Sequence, residues 1–375
     1  MYNLTCASRS SIYQTSNTLS SSFKSTARRL NHQRAMSNTT SVIQPQDSTS
    51  QDRDENLVLN LATGRKIGYS RYGVQSGKYP TTIYLHGYPS SRLECSMYAK
   101  DLFASGLQVI GIDRPGFGLS SVPDKPLQDR TILDHVEDIH ALADHLHLDR
   151  FAVLAVSGGA PYAFACAYAL PPERLVAATV LAGFGTYEIA SSKEVWAKLF
   201  WLNKLGVIAP VWFPWTYEKL YSWIVPWYAK RLLKSTYGKV INSAAFKAMP
   251  TRDQDFLLRG GEHGYEDTKS NIREATRHDQ FWKWHVEEAR LLAKKWPFEL
   301  QDLKYENLRM WYGTADVNTP LVEGEKLQAA IGEKARLDTV PDGTHASVIG
   351  DGVKYIKEVL NIRDDTNPDT TSSDS

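Results

Sequence analysis

Three polar residues of the types used in nucleophilic catalysis each follow a predicted strand: Ser157, Asp316 and His345. A serine hydroxyl is a poor nucleophile until a base removes its proton, and a neutral imidazole can act as that base. A carboxylate behind the imidazole fixes its tautomer and stabilises the imidazolium. Because the carboxyl ends of parallel strands share one sheet edge, we expect the three side chains to converge there. Such a group could transfer an acyl group through the serine.

The stretch around Ser157 has the pattern of a strand, a sharp turn and a helix. The apolar run 151–155 predicts a buried strand, and 161–169 predicts a helix. Between them the serine lies in the frame Ala155-Val156-Ser157-Gly158-Gly159. Small residues suit a close crossing of strand and helix, and the free N–H groups of a helix N-terminus can hold an anion. The usual frame has glycine where this chain has Ala155, so the alternative is an ordinary turn with an incidental serine.

Other predicted strands also end in loops rich in glycine and polar residues. Strands alternate with helices, which predicts an α/β fold with a mostly parallel sheet. Residues 57–72 predict an additional hairpin with Thr63-Gly64 at its turn. The remaining strands and the loops that follow them are 82–85 with His86-Gly87-Tyr88-Pro89, 107–112 with the loop 113–120, 175–181, 308–312 with Gly313 to Asp316, and 335–340 with Gly343-Thr344-His345.

The other two candidate residues also have structural alternatives. Asp316 could cap the helix that begins near Pro320, and His345 could simply be an N-terminal residue of the last helix, which we expect to run to about residue 360. Glu188 is a second candidate for the acidic partner. Asp113 and Arg114 are expected to brace their loop.

These segments, in this order, resemble the α/β-hydrolase fold over residues 56 to 362. The resemblance implies that Ser157 is the nucleophile, His345 the base and Asp316 the acid. It also implies an oxyanion hole made by the backbone N–H groups of Tyr88 and Gly158, with no metal or organic cofactor. Relatives that open epoxides or cleave carbon–halogen bonds use aspartate as nucleophile, which Ser157 argues against.

The hydrolase core is expected over 56–185 and 299–362, interrupted by an insertion over 186–298. The insertion is helical in pattern, contains nine of the ten tryptophans, and ends in Trp296-Pro297-Phe298, which resembles the end of a helical cap. We expect a lid over Ser157 whose inner aromatic face selects an apolar group, with 212–215 and 223–228 among its aromatic stretches. Alternatively, these rings form the lid's own core, or a surface for peripheral membrane contact.

The resemblance and the three residues together imply a serine hydrolase that cleaves a carboxylic ester of a hydrophobic small molecule. The same residues could serve a thioesterase, a carbon–carbon bond hydrolase or an acyltransferase. A receptor for small molecules on the same fold would bind without catalysis, although it would not need Ser157, Asp316 and His345 together.

Composition excludes several other classes of protein. The net charge is +1 with no basic patch interleaved with aromatics, which argues against a nucleic-acid partner. Three scattered cysteines, Cys6, Cys95 and Cys166, suit a reducing compartment and packing roles. No apolar run is long enough to span a bilayer. Four histidines between 135 and 147 lack zinc-site spacing and are expected at the surface: His135, His140, His145 and His147.

Residues 1–46 contain no aspartate or glutamate but contain five basic residues and much serine and threonine. This composition is typical of a mitochondrial transit peptide, and equally of a disordered tail. Met36 is a second potential start that would leave the protein in the cytoplasm. Residues 46–55 are predicted to be a linker, which makes 1–55 a leader and linker, and 363–375 are predicted to be a disordered tail.

Overall fold

The computed structural model describes residues 53–362, which are built around an eight-stranded sheet. The strand order is β1-β2-β4-β3-β5-β6-β7-β8. Strand β2 runs antiparallel to both β1 and β4, and the other neighbours are parallel. The strands are β1 (Arg53–Asn60), β2 (Lys66–Gly73), β3 (Thr82–Leu85), β4 (Gln108–Ile112), β5 (Phe151–Val156), β6 (Leu175–Leu181), β7 (Leu308–Gly313) and β8 (Ala335–Val340).

Helices flank the sheet and connect its parallel strands, which confirms the predicted α/β class. The helices outside the insertion are α1 (Ala99–Ser105), α2 (Leu133–His145), α3 (Ala160–Ala169), α13 (Leu321–Ile331), α14 (His345–Gly350) and α15 (Gly352–Val359). The last two replace the single final helix that we expected, and they are separated at Asp351, which adopts a non-helical φ of −92° and ψ of 15°.

The central strands are apolar along their whole length because helices cover both of their faces. Every residue of β5 is buried, and β6 is buried at six of its seven positions. The observed bounds of β6, β8 and α13 equal those predicted. Continuous apolar runs and helical periodicity therefore define the core of this sheet well.

The antiparallel hairpin is confirmed, but its first strand begins earlier than the predicted boundary at residue 56. Gly64 has φ +84° at the turn, where Leu61 N donates to Arg65 O at 2.8 Å. Arg53 pairs with Tyr72 across the hairpin, and the Tyr72 hydroxyl donates to Glu55 at 2.8 Å. These cross-strand contacts draw residues 53–55 into the sheet, although their polar sequence suggested a linker.

One of the four histidines expected at the surface is buried. His135 is 3% exposed because it lies on the inward side of α2, where its ring packs edge-on against Tyr162 at 5.1 Å between ring centres. His145 and His147 are exposed and His140 is half-buried. Cys95 and Cys166 are buried free thiols, as expected of packing residues.

The insertion between β6 and β7 is helical throughout its described elements. None of the helices within residues 53–362 is long and apolar enough to cross a membrane. The insertion contains α4 (Tyr187–Ala190), α5 (Lys193–Lys198), α6 (Trp201–Trp212), α7 (Pro214–Leu233), α8 (Tyr237–Ile241), α9 (Ala244–Lys247), α10 (Thr251–Arg259), α11 (Gly261–Ala275) and α12 (Phe281–Ala293).

The predictions for the two ends of the chain fall on residues outside this range. The leader with its mitochondrial and cytoplasmic alternatives, most of the linker, Cys6 and the tail from residue 363 all lie beyond the described residues. Each of them stays a prediction.

A buried carboxyl group supports the loop that follows β6. Glu323, in the first turn of α13, has no exposed surface, and its Oε1 accepts from the Gly185 N–H at 2.7 Å. Its Oε2 has no hydrogen-bond partner among residues 53–362. Burial, with a smaller contribution from nearby Asp316, raises the pKa of Glu323 to about 8. The folded protein therefore keeps a proton that the unfolded chain releases near pH 4.5.

We predict that Glu323→Gln removes a pH dependence from the free energy of unfolding. A raised folded-state pKa means that the native state binds more protons, so wild-type stability falls as pH rises from about 5 through 8, by at most ~1.4 kcal/mol per pH unit. Glutamine mimics the protonated acid and should show no such fall. Urea unfolding at several pH values measures this, with exposed Glu325→Gln as control. Parallel curves for wild type and Glu323→Gln would contradict it.

Candidate active site

Ser157 lies at the apex of the turn between β5 and α3. The strand ends at Val156, a 3-10 turn covers Ser157–Gly159, and α3 follows at once. Ser157 has φ +49°, a left-handed conformation that costs a residue with a β-carbon about 1 kcal/mol or more. Non-glycine residues held in this region cluster at functional sites. The Ser157 carbonyl accepts from Phe184 N at 3.0 Å, which ties the turn to the loop after β6.

The two glycines after Ser157 are required by close backbone contacts. A β-carbon on Gly158 would lie 2.6 Å from that of Tyr88, and one on Gly159 would lie 2.2 Å from the Leu85 carbonyl oxygen. Ala155, where the usual frame has glycine, is fully buried within the sheet between β3 and β6. The methyl group at 155 is therefore accommodated, and the turn keeps the predicted form.

His345 and Asp316 form a close pair. The Nδ1 atom of His345, the first residue of α14, lies 2.8 Å from Oδ2 of Asp316 in the loop after β7. Since a carboxylate only accepts, this contact assigns the imidazole proton to Nδ1 and leaves the Nε2 lone pair free. The Asp316 side chain is fully buried and that of His345 is 20% exposed, so the imidazole is the member of the pair that solvent reaches.

Asp316 accepts further hydrogen bonds from the loop that contains it. One residue of this group, Thr319, was not predicted from the sequence to contact the site. Its Oδ1 accepts from Asn318 N at 2.7 Å and Thr319 N at 3.0 Å. The Thr319 hydroxyl lies 3.0 Å from Asp316 Oδ2 and 3.2 Å from His345 Nδ1. The capping alternative for Asp316 is wrong, because Pro320 is the N-cap of α13 without a side-chain hydrogen bond and the N–H groups that Asp316 accepts from precede the helix. Glu188, the other candidate acid, is exposed on α4.

Strand register brings the three loops to one edge of the sheet. Val156 pairs with Leu181, Leu181 with Trp311, and Gly313 with Val340. The turn after β5 therefore lies two strands from the Asp316 loop and three from the His345 loop, all at carboxyl ends. The three loops thus lie at the edge that the sequence predicted. The recorded contact among the three side chains is that of His345 with Asp316, and an approach of Ser157 to His345 stays a prediction.

The loop after β3 brings Tyr88 next to Gly158, the two residues whose backbone N–H groups were expected to form an oxyanion hole. A β-carbon on Gly158 would lie 3.3 Å from Tyr88 N, so the two residues lie side by side. The first N–H groups of a helix lack acceptors within it, which makes that of Gly158 available. The N–H of Gly87 instead donates to Glu94 Oε2 at 2.6 Å. Glu94, which sequence reasoning missed, thus fixes the loop while Tyr88 N adjoins the turn.

Arg114 braces this loop after β3 rather than its own loop, whereas Asp113 accepts from Leu119 N within its own loop, as expected. The Arg114 guanidinium donates to the carbonyls of His86 and Gly87, the latter at 2.8 Å. On its other side it forms a 2.8 Å ion pair with Glu288 of α12. Both charged side chains are at least 98% buried. The ion pair therefore connects the insertion to the loop after β3 within the interior of the protein.

A comparison with protein families decides the class of the molecule. Residues 80–351 match the model of the alpha/beta hydrolase fold family, which is more than half of the chain. The chain belongs to the α/β-hydrolase family.

Individual relatives of this hydrolase are distant. The uncharacterized hydrolase YNR064C of Saccharomyces cerevisiae is 27% identical over 144 residues, 38% of this chain and 46% of that protein. The chain thus matches less than half the length of that relative.

Solved structures share the fold but not one activity. A bromoperoxidase from Bacillus anthracis has a TM-score of 0.55 at 16% identity, covering 82% of this chain and 99% of its own. An esterase from Exiguobacterium antarcticum has a TM-score of 0.52 at 13% identity, covering 82% and 98%. At such identities the likeness shows the fold alone, and the reaction must be argued from the site.

The insertion places uncharged polar rings beside the loop that carries Tyr88. The Tyr88 hydroxyl donates to the His285 carbonyl at 2.9 Å, and the Tyr221 hydroxyl lies 3.2 Å from His285 Nδ1. Burial lowers the pKa of His285 to about 4 and raises the pKa of Tyr217 to about 12. These groups, which sequence reasoning left without a role, are therefore neutral near neutral pH.

The expectation that the aromatic stretches 212–215 and 223–228 line the substrate site is wrong for most of their rings. Trp212, Trp215, Trp223 and Trp227 are 61–77% exposed on the outer side of α6 and α7. The inward positions of α7 are instead occupied by residues such as Tyr221 and buried Ala229. The sequence showed aromatic enrichment but not which side of the helix faces the core.

A cavity of about 180 Å³ lies apart from the predicted site residues. Its walls are charged, with Arg65, Arg130, His135, Asp138 and Glu288 among them. Such a lining does not suit an apolar acyl group, so we do not assign this cavity to substrate.

We predict that Ser157→Gly is more stable than Ser157→Ala by about 1 kcal/mol, because only glycine adopts φ +49° without strain. Urea unfolding of the two variants measures the difference. The same pair of substitutions at Ser222, inside α7, is the control and should show the opposite order, since glycine weakens a helix. An alanine variant at 157 as stable as the glycine variant would show that the turn is unstrained.

Proposed function

We propose that the protein is a serine hydrolase that cleaves a carboxylic ester of an uncharged, largely apolar small molecule. The observation that carries the proposal is the 2.8 Å His345–Asp316 pair at the same sheet edge as Ser157. A strained serine beside a helix N-terminus and an oriented imidazole are the parts that acyl transfer needs.

In the proposed first step, the Ser157 Oγ attacks the ester carbonyl carbon. His345 Nε2 takes the hydroxyl proton, and Asp316 stabilises the imidazolium through Nδ1. The carbonyl oxygen becomes an oxyanion that accepts hydrogen bonds from the N–H groups of Tyr88 and Gly158. Collapse of this intermediate breaks the bond to the alcohol oxygen, which receives the proton from His345, and leaves an acyl-serine.

In the proposed second step, water replaces the alcohol. His345 removes a proton from the water, whose oxygen attacks the acyl carbon, and the Ser157 oxygen then leaves with that proton. The carboxylic acid is released and the hydroxyl is restored. The same two steps would cleave a thioester, or transfer the acyl group if an alcohol took the place of water.

The uncharged polar rings of the insertion beside Tyr88 favour an uncharged substrate. Tyr88, Tyr217, Tyr221 and His285 carry no charge near neutral pH because burial keeps them neutral. An anionic substrate would find no cation among them to offset its desolvation. Their ring faces offer apolar surface, and their hydroxyls offer hydrogen bonds to a carbonyl group.

We predict that Ser157→Ala lowers turnover of p-nitrophenyl esters by about 10⁴-fold and abolishes labelling by a fluorophosphonate probe. Asp316→Asn should also lose most activity, since an amide holds the wrong imidazole tautomer. Ser222→Ala, in helix α7 of the insertion, is the matched control, and its turnover and probe labelling should equal those of the wild type.

Four outcomes would redirect the proposal. Adducts on another serine would move the nucleophile. An unlabelled protein that binds esters would indicate a receptor. Faster acyl release to an added alcohol than to water would indicate an acyltransferase, and faster turnover of the matched thioester would indicate a thioesterase.

We further predict that kcat/KM rises with acyl length from acetate to octanoate. Each buried CH₂ contributes at most about 0.8 kcal/mol, or roughly fourfold in rate. Tyr221→Ala should flatten the series because it removes an inward ring, and Tyr221→Phe should preserve it. Trp223→Ala, two residues along α7 but 77% exposed, is the control and should leave the slope unchanged. A flat wild-type profile would contradict apolar selection.

A further inference from the structure

The insertion presents an unusually exposed aromatic surface. Of the twenty large hydrophobic side chains that are exposed among residues 53–362, thirteen lie between positions 200 and 228. Five of these are tryptophans with 60–77% of their surface exposed: Trp201, Trp212, Trp215, Trp223 and Trp227. We name the outer side of residues 200–228 the aromatic face. Monomeric proteins rarely expose so concentrated an apolar surface without a partner.

The aromatic face belongs to two helices that pack together and are anchored from behind. Helices α6 and α7 contact each other, and both contact α12. On the inner side of α6, Val207 and Pro210 are buried, and on that of α7 Ala229 is buried. The outer rings are therefore not displaced core residues, because the inward positions of both helices are already filled.

The charge around the aromatic face is strongly one-sided. Residues 195 to 240 contain seven basic residues and one acidic residue, although the whole chain has 43 basic and 42 acidic residues. Lys219 is exposed on α7 between Trp215 and Trp223, and Lys230 and Lys234 are exposed at and just beyond the end of that helix. Arg231 lies over the Trp227 ring, with 5.8 Å between the guanidinium carbon and the ring centre.

We propose that the aromatic face docks on the surface of an anionic lipid bilayer. Tryptophan and tyrosine favour the boundary between headgroups and acyl chains, where one side of the ring is apolar and the other is wet. Lysine and arginine beside them reach back to anionic headgroups. A second copy of the chain fits less well, because a two-fold contact through this face would set its excess positive charge against itself.

This docking is independent of the proposed chemistry but connects with it in space. Helix α7 carries Tyr221, which contacts His285 beside Tyr88, on its inner side and the aromatic face on its outer side. The N–H of Phe200, at the edge of the face, donates at 2.9 Å to the carbonyl of Val317, the neighbour of Asp316. A bound bilayer would thus lie against helices α6 and α7, whose other side is next to the candidate site.

The test is cosedimentation of the full chain with sucrose-loaded vesicles. We expect binding to phosphatidylcholine vesicles that contain about one third phosphatidylserine, at least about tenfold weaker binding to phosphatidylcholine alone, and weakening by salt. The triple variant Trp215→Ser, Trp223→Ser, Trp227→Ser should reduce binding by about tenfold or more. Lys230→Glu with Lys234→Glu should do the same.

Matched controls use exposed side chains elsewhere on the protein. Phe103→Ser with Val122→Ser, and Lys66→Glu with Lys100→Glu, should bind as wild type. The basic N-terminal stretch is identical in all variants, so a loss specific to the aromatic face cannot come from it. Ser157→Ala should bind fully, which separates this proposal from the proposed hydrolysis.

Several results would overturn the proposal. These are no binding to anionic vesicles, equal binding to neutral vesicles, or equal loss in the face variants and in the controls. Sedimentation velocity gives one further test. If the wild-type protein is a dimer that does not bind vesicles, and the tryptophan variants are monomers, the aromatic face is an interface between copies of the chain.

Discussion

The site depends on a close approach of backbones at the turn between β5 and α3. Helix α3 begins so near the end of β3 that a side chain on Gly159 would meet the Leu85 carbonyl at 2.2 Å. A side chain on Gly158 would likewise meet Tyr88 at 2.6 Å. At this crossing Ser157 adopts its left-handed conformation, next to the backbone of the β3 loop. One steric constraint thus places Ser157 and Gly158 beside Tyr88.

Buried charge then fixes the loops around that turn. Arg114 holds the carbonyls of residues 86 and 87, and Arg92 pairs with Asp113 at 3.0 Å and with Glu274 of α11 at 2.7 Å. The side chains of Arg92 and Asp113 have no exposed surface, so losing Arg92 would leave the Asp113 carboxylate as an uncompensated charge inside the protein. Since Glu274 and Glu288 both come from the insertion, these ion pairs make the insertion a fixed part of the core.

Much of the fold was predictable from the sequence because its signals are local. Apolar runs and glycine-rich turns located the strands, and strand order placed Ser157, Asp316 and His345 at one edge. Thr319 and Glu94 were missed, since each acts through contacts that only the assembled loops create. His135 was misplaced because a histidine on the inward side of a helix has no distinctive spacing. The start of β1 was missed because polar residues there pair across a hairpin.

The sequence pattern did not predict which side of the insertion's helices faces the core. A surface helix normally shows one apolar stripe, which faces the core. Helix α7 is aromatic on both sides: Tyr217 and Tyr221 face inward, and the tryptophans and Tyr228 face outward. Amphipathic periodicity therefore has no single direction to report, and total aromatic content suggested an apolar lid interior. The structure separates two chemistries within one helix, polar aromatic rings beside the candidate site and apolar rings with lysines on the outside. Because both sides of this helix carry aromatic residues, its sequence alone did not indicate which side faces the core and which faces outward.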